Sequence, residues 1–527
     1  MSFSAISIRY HEKSVIPLFN YSVIFFRMKH PSNKEKISLF IVHCSLFILC
    51  GCSQVVTYPA PEGEEVSPDF TVKVDGKEVF VYRARVSAYP ENQVWPGYQR
   101  PIEQTEQASF CYFDVGKAVT VEIVSKTKID RLTIRPLSKN IQPTINGDKI
   151  TFTLSEPCQL AVEVNDYHKA LHLFANAIEE KPVTKPDEHT VYFGPGIHYP
   201  GIIEVKDNQT VYIAGGAVVH ALIKGQNVKN VTVKGRGIID GSSFDREAGY
   251  IIRIENSENI TVEGVILRDP PSWTMRMDNL HNVTIDNAKI IGLWRYNADG
   301  INIVNSNNVQ ITNSFIRSFD DCIVLRASNR VNAPQYNVFD VDVDNCVLWN
   351  DWGRAIEIFE SGLRTVPDSI YRSAFRNCDI IHFVHIAFSI QNCDRAHIFD
   401  IDFENIRIED PISENYFLGD PKYPEKVDSF LIANAGPHLL GHLFWIYLDK
   451  NYYSAGDSRG GKVFNINYKD IAYTSAQTPK FSFVGYDSEH DVSGITFDNV
   501  TVNGKKIRNV ADGNMLVNDF VKDIKFY

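Results

Sequence analysis

Three aspartates have the types and spacing for acid–base chemistry. Asp299 sits in Asn297-Ala298-Asp299-Gly300, and Asp320 and Asp321 sit in Phe319-Asp320-Asp321-Cys322. Asp299 and Asp320 are 21 residues apart. Hydrolysis of a glycosidic bond needs one carboxylic acid to protonate the leaving oxygen and another carboxylate to attack or to activate water. Crowded carboxylates repel one another, which raises at least one pKa and keeps a proton available near neutral pH. Each motif alone is ordinary turn chemistry, because Asp-Gly and Asp-Asp are common in turns. The chemistry therefore depends on a fold that turns 21 residues of chain into one step between neighbours.

The sequence supplies such a fold. Asn230-Val231-Thr232-Val233 is followed by Asn259-Ile260-Thr261-Val262, Asn282-Val283-Thr284-Ile285 and Asn308-Val309-Gln310-Ile311, with starts 29, 23 and 26 residues apart. Weaker copies begin at Phe339, Phe399 and Ile495. A period in the twenties made only of β signals means stacked coils. The asparagines suit tight bends that need left-handed residues. The expected architecture is all-β: a right-handed parallel β-helix over residues 188–527. Asp299 and Asp320 then fall on neighbouring coils, roughly 4.8 Å apart. In a regular strand Asp320 and Asp321 point to opposite faces, so both reach one cleft only if the backbone bends there.

Ahead of the repeats, short alternating strands such as Phe70–Val74, Val79–Tyr82, Val119–Ile123, Leu132–Ile134 and Lys149–Leu154 read as a small β-sandwich over residues 52–180. The Pro- and Lys-bearing stretch 179–186 links the two. Residues 413–457 depart from the repeat and read as a long insertion. Residues 1–51 read as a signal segment: Lys29, Lys34 and Lys36 precede the apolar run Ile37–Leu49, which is short for a bilayer span. Met28 suits the role of true start. The run ends in Leu49-Cys50-Gly51-Cys52, which resembles a bacterial lipobox; the resemblance implies lipid attachment at Cys52 and export to the cell envelope, with membrane contact only through that anchor.

The carboxylate motifs resemble glycoside hydrolase family 28, the polygalacturonase family, and β-helical relatives such as family 49 dextranases. The family pattern runs Asn-Thr-Asp-Gly, Asp-Asp, Gly-His-Gly, Arg-x-Lys. Asn297–Gly300 matches the first with Ala for Thr, and Asp320-Asp321 matches the second. The resemblance spans about residues 188–510. It implies an inverting hydrolase in which Asp320 is the general acid while Asp299 and Asp321 hold and deprotonate water. Two departures stand out. Arg354, in Trp352-Gly353-Arg354, takes the place of the histidine, and a guanidinium orients or binds but does not exchange protons near neutral pH. The Arg-x-Lys pair, linked in the family to the galacturonate carboxylate, is absent; Ser389-Ile390-Gln391 lies near its place. A neutral glycan or branched pectic side chain thereby becomes comparable to polygalacturonate, although Arg326 and Arg354 are still able to meet an acid. Expected substrate-binding residues are Arg354, Asn297, Arg326, Trp294 and Trp352, with Arg295, Tyr296 and Trp349 as weaker aromatic or cationic neighbours. Glu357 ranks below the aspartates, because alternation puts it opposite Arg354.

The partner expected is a polysaccharide or oligosaccharide. Asp and Glu outnumber Lys and Arg by 64 to 53, a formal charge of −11 that does not favour nucleic acid. No CxxC pair suggests zinc, and neither metal nor cofactor is expected. Two other readings share the architecture. One is an eliminase, with calcium on the aspartates and Arg354 as base. The other is a non-catalytic carbohydrate-binding surface protein.

Overall fold

The computed structural model describes residues 55–88, 102–328, 337–361, 368–411, 441–448, 450, 454 and 460–527. The signal segment, Met28 and Cys52 lie outside them, as does most of the stretch 413–457. Every regular element among the described residues is a strand or a short 3-10 turn.

From Thr190–Phe193 to Val521–Phe526, 29 strands build one continuous sheet that winds as the right-handed parallel β-helix expected, with one short antiparallel pair, Thr501–Val502 on Lys505–Lys506. Its register follows the sequence repeats. Val231 pairs with Ile260, Ile260 with Val283, Val283 with Val309 and Val309 with Val341. The row continues through Ser373, Ile401, Ile466, Ile495 and Ile524. Asn230, Asn259, Asn282 and Asn308, each immediately before the row, adopt left-handed φ of +57°, +59°, +59° and +54°. Their amides form a ladder in which Asn259 Nδ2 donates to Asn230 Oδ1 at 2.8 Å and Asn282 Nδ2 to Asn259 Oδ1 at 2.9 Å. A short polar side chain that tolerates this conformation and bonds along the stack explains why the repeat begins with Asn. The residues after it alternate inward, so stacked Val and Ile fill a continuous core.

The amino-terminal strands form two sheets. One runs Val55–Thr57, Thr105–Val115, Leu171–Ala177, Cys158–Val164 and Leu132–Arg135, with Tyr82–Ser87 also on Thr105–Val115. The other runs Lys77–Val79, Phe70–Val74, Val119–Ser125, Lys149–Leu154 and Thr144–Asn146. Val79–Tyr82, expected as one strand, is divided: the chain leaves one sheet at Val79 and joins the other at Tyr82, with Val81 buried in the core between them.

The outer face of the first sheet is also buried. Tyr82, Phe110 and Phe174 pack on Ile266, Ile291, Phe315 and Trp349 of the coil. Ion pairs cross the same boundary, with Arg135 to Glu409 at 2.6 Å and Arg236 to Asp114 at 3.2 Å. Residues Ser53–Tyr527 are accordingly one compact unit. The insertion expected at 413–457 also needs correction. His442–Leu448, His-Leu-Phe-Trp-Ile-Tyr-Leu, is a full strand of the coil between Ile386–Asn392 and Lys480–Val484. Its aromatic bulk hid a strand that carries no Asn-initiated repeat.

Candidate active site

Three neighbouring coils build the site. Asp299 lies in the turn before strand Ile301–Val304, Asp320 and Asp321 in the bend before Ile323–Ser328, and Arg354 opens strand Arg354–Ser361. Parallel pairing aligns the three strands, Ile301 with Ile323 and Ile323 with Ile356. Backbone bonds lock the turns together: Gly300 N donates to Asp321 O at 2.8 Å, Asp320 N to Ala298 O at 3.1 Å and Cys322 N to Arg354 O at 2.9 Å. The bend that the aspartate pair requires is present. It is held by Asn350 Nδ2 on Asp320 O at 2.6 Å.

The carboxylates converge. Asn297, at φ +56°, directs Nδ2 to Asp299 Oδ1 at 3.3 Å and to Asp320 Oδ2 at 3.5 Å. Asp321 Oδ1 accepts from Arg354 N at 2.9 Å and faces Arg354 Nη1 at 3.7 Å. Gly353 is the floor beneath the pair: a Cβ there would stand 2.4 Å from Asp320 Oδ1 and 2.7 Å from Asp321 Oδ1. Asp320 Oδ1 has no hydrogen-bond partner among the described residues. An unengaged oxygen on a proton-bearing carboxyl suits donation to an incoming group.

Burial and mutual repulsion raise two of the three aspartates. Burial first, then the adjacent Asp321 charge, pushes Asp320 up to about 8, against the pull of Arg354, Asn297 and Arg326. Burial and the charges of Asp320 and Asp321 also raise Asp299 well above the usual carboxylate range, while Arg326 and Asn302 oppose the rise. Asn302 donates Nδ2 to Asp299 Oδ2 at 3.0 Å. Such a set titrates as a unit, and it holds at least one proton at neutral pH.

Glu357 requires a correction. It is buried, and its Oε2 lies 3.6 Å from Arg354 Nε, on the same side as Arg354 rather than opposite. Alternation fails at the start of the strand because Ala355 and Ile356 both enter the core, which leaves Arg354 and Glu357 outside together. Burial raises Glu357 to about 7, opposed by Arg354 and reinforced by Asp321.

The remaining expected residues divide. Arg326 points onto the same outer face, pairing with Phe359 across the coils and with Val304 on the other side. Its guanidinium lies 5.1 Å from the Trp273 ring and 4.6 Å from Phe359. Trp294 is at the margin, with Nε1 bonded to Asp269 Oδ1 at 2.9 Å, and Arg295 reaches the same carboxylate at 3.5 Å. Trp352 is not on the outer face that carries Arg326. It is 4% exposed and stacks on Phe319 at 5.5 Å within the coil's core, where packing accounts for it. Trp349 is fully buried beneath Arg317 against the amino-terminal sheet.

Several contributors were not foreseen. Arg246 bonds the Tyr296 carbonyl and reaches Asn297 Oδ1 at 3.4 Å, which ties down the residue that bridges Asp299 and Asp320. Arg276 pairs with Asp278 at 2.7 Å beside Tyr250 and Trp273, on the outer rows that lead to Arg326. Trp445 and Tyr447, stacked at 5.0 Å, occupy the rows on the far side of Ser389 and Gln391. Strand parity would have found Trp445 and Tyr447 had their strand been recognised.

Fold and carboxylate geometry together define a parallel β-helix that gathers three aspartates from neighbouring coils. Residues 200–340, which contain all three aspartates, match the model for glycosyl hydrolases family 28. "Probable exopolygalacturonase B" of Aspergillus terreus is 25% identical over 241 residues, 42% of this chain and 52% of that protein. "Probable polygalacturonase" of Vitis vinifera is 30% identical over 120 residues, 20% of this chain and 24% of that protein. The chain thus spans about half or less of the curated relatives it matches. Among solved structures, Dex49A from Penicillium minioluteum superposes with a TM-score of 0.60 at 16% identity, covering 90% of this chain and 96% of that one. The likeness to family 28 thus lies in residues 200–340, and the likeness to Dex49A lies in the fold.

Proposed function

We propose that the chain is an exported glycosidase that hydrolyses O-glycosidic bonds of a polysaccharide with inversion. The convergence of Asp299, Asp320 and Asp321 around Asn297 and Gly353 carries this reading. Asp320, protonated up to about pH 8, gives its proton to the leaving oxygen. Asp299 and Asp321 hold the attacking water and take its proton, and Arg354 Nη1 stands 3.7 Å from Asp321 Oδ1. The match to the family 28 model supports the reaction class.

Arg326 favours an acidic sugar in the substrate. Five arginines are buried among the described residues. Arg135, Arg236, Arg268 and Arg317 each meet a carboxylate, at 3.1, 3.2, 2.8 and 3.0 Å. The Arg326 guanidinium makes no direct ion pair or side-chain hydrogen bond among the described residues, its Nε is without a partner, and it acts on Asp299, Asp320 and Glu357 only through space. A desolvated guanidinium with no group in direct contact is better satisfied by an anion that the ligand brings to it. Wild type should prefer an acidic glycan to its carboxyl-reduced form, and Arg326→Gln should erase about 10- to 100-fold of that preference. Equal kcat/KM on the two polymers in wild type would return the substrate to the neutral class.

We also propose that residues 1–51 are removed on export and that Cys52 carries a lipid anchoring the protein to the cell envelope. Mass spectrometry of the amino-terminal peptide should find diacylglyceryl on Cys52, and an unmodified peptide spanning Gly51-Cys52 would reject the anchor.

A further inference from the structure

Arg354 lies between two carboxylates at ion-pair distance. Its backbone N and Nη1 meet Asp321 Oδ1 at 2.9 and 3.7 Å, and its Nε meets Glu357 Oε2 at 3.6 Å. Glu357 is in turn fixed from the next coil, where Gln391 Nε2 donates to Oε1 at 3.4 Å and Ser389 pairs across the strand. The charged groups facing Glu357 are Arg354, Asp321 and Arg326, and Ser389 is its further polar neighbour. Glu357 is tied to Arg354 and Gln391 and has no bond to the Asn297 amide that bridges Asp299 and Asp320, so any part it has in the reaction runs through a neighbour.

We propose that Glu357 is a positioning residue that anchors the Arg354 guanidinium over Asp321 and so fixes the water-holding carboxylate. This rests on the hydrolase reading and deepens it. A lone guanidinium on a flexible stem samples several rotamers, and a second carboxylate on Nε leaves one end of the fork directed at Asp321. Misplacement of a catalytic group by about 1 Å costs on the order of 100-fold in rate, which gives a buried carboxylate outside the reacting set a measurable part in turnover.

The test is a double-substitution cycle with a second readout independent of turnover. Glu357→Gln should lower kcat about 10- to 100-fold with little change in KM. In an Arg354→Gln background the same change should cost nothing further, because its route of action is gone. In protein labelled with ¹⁵N-arginine, the Arg354 Nε–H should exchange with solvent faster in Glu357→Gln than in wild type. Gln391→Leu, which leaves every charge in place, should move kcat and the exchange rate the same way by less. It also serves should Glu357→Gln fail to fold. Additive losses in the cycle, or an Nε–H exchange rate unchanged by both variants, would overturn the proposal. If wild type cleaves no glycan while the exchange rate still responds, the anchoring stands and the hydrolase reading falls.

Discussion

Asp320→Asn should lower turnover by about 100- to 10,000-fold while raising stability at alkaline pH. The first half follows from the role: an amide has no proton to give a leaving oxygen at neutral pH. The second follows from burial. In the folded protein Asp320 is raised from 3.8 to about 8, so the folded state keeps a proton that the unfolded chain releases. Its contribution is fully present below pH 3.8 and is lost as pH rises through 8. The neutral amide escapes that loss. The variant should therefore melt above wild type at pH 8 to 9, and the gap should close toward pH 4. Wild-type kcat/KM should fall on the same alkaline limb, as the acid loses its proton. Thermal melts across pH, read beside the pH–rate profile, check both halves. Full activity in Asp320→Asn would remove it as the acid.

Arg354→Ala should destabilise the protein by about 3–5 kcal/mol at pH 7 or above, because it strands two buried carboxylates. Asp299, Asp320, Asp321 and Glu357 share the guanidiniums of Arg326 and Arg354 as their nearby cations. Removing Arg354 leaves Asp321 and Glu357 to repel each other with Arg326 as the remaining nearby cation. The penalty should shrink below pH 6, where Glu357, raised to about 7, is already protonated. Arg354→Lys should restore much of the stability but little of the rate, since an ammonium supplies the charge without the two-ended fork. Denaturant unfolding at pH 5 and pH 8 separates these outcomes. Equal losses at both pH values would show that packing, rather than charge, is what Arg354 provides.

The coil was legible because its signal is local. A left-handed Asn followed by alternating Val, Thr and Ile specifies a bend and a strand within four residues, and Asn230 through Asn308 repeat it unbroken. The aspartates were legible because one coil of spacing is enough to bring them together once the coil is known. What escaped depended on exceptions to alternation or on which side of a strand an aromatic faces. Glu357 was placed opposite Arg354 by a rule that Ala355 and Ile356 break. Trp352 and Trp445 are the same residue type in similar β surroundings, yet one stacks on Phe319 in the core and the other stacks on Tyr447 in the rows beside Ser389 and Gln391. Arg246 reaches the site across about fifty residues of chain, a tertiary contact with no local signature.

The most direct test follows the anomeric proton by NMR while the protein acts on a panel of acidic and neutral polysaccharides. A water held by Asp299 and Asp321 on the side of the sugar away from the acid should yield, as first product, a reducing end of inverted configuration. Release of the retained anomer, or of a sugar with an unsaturated ring, would contradict the account.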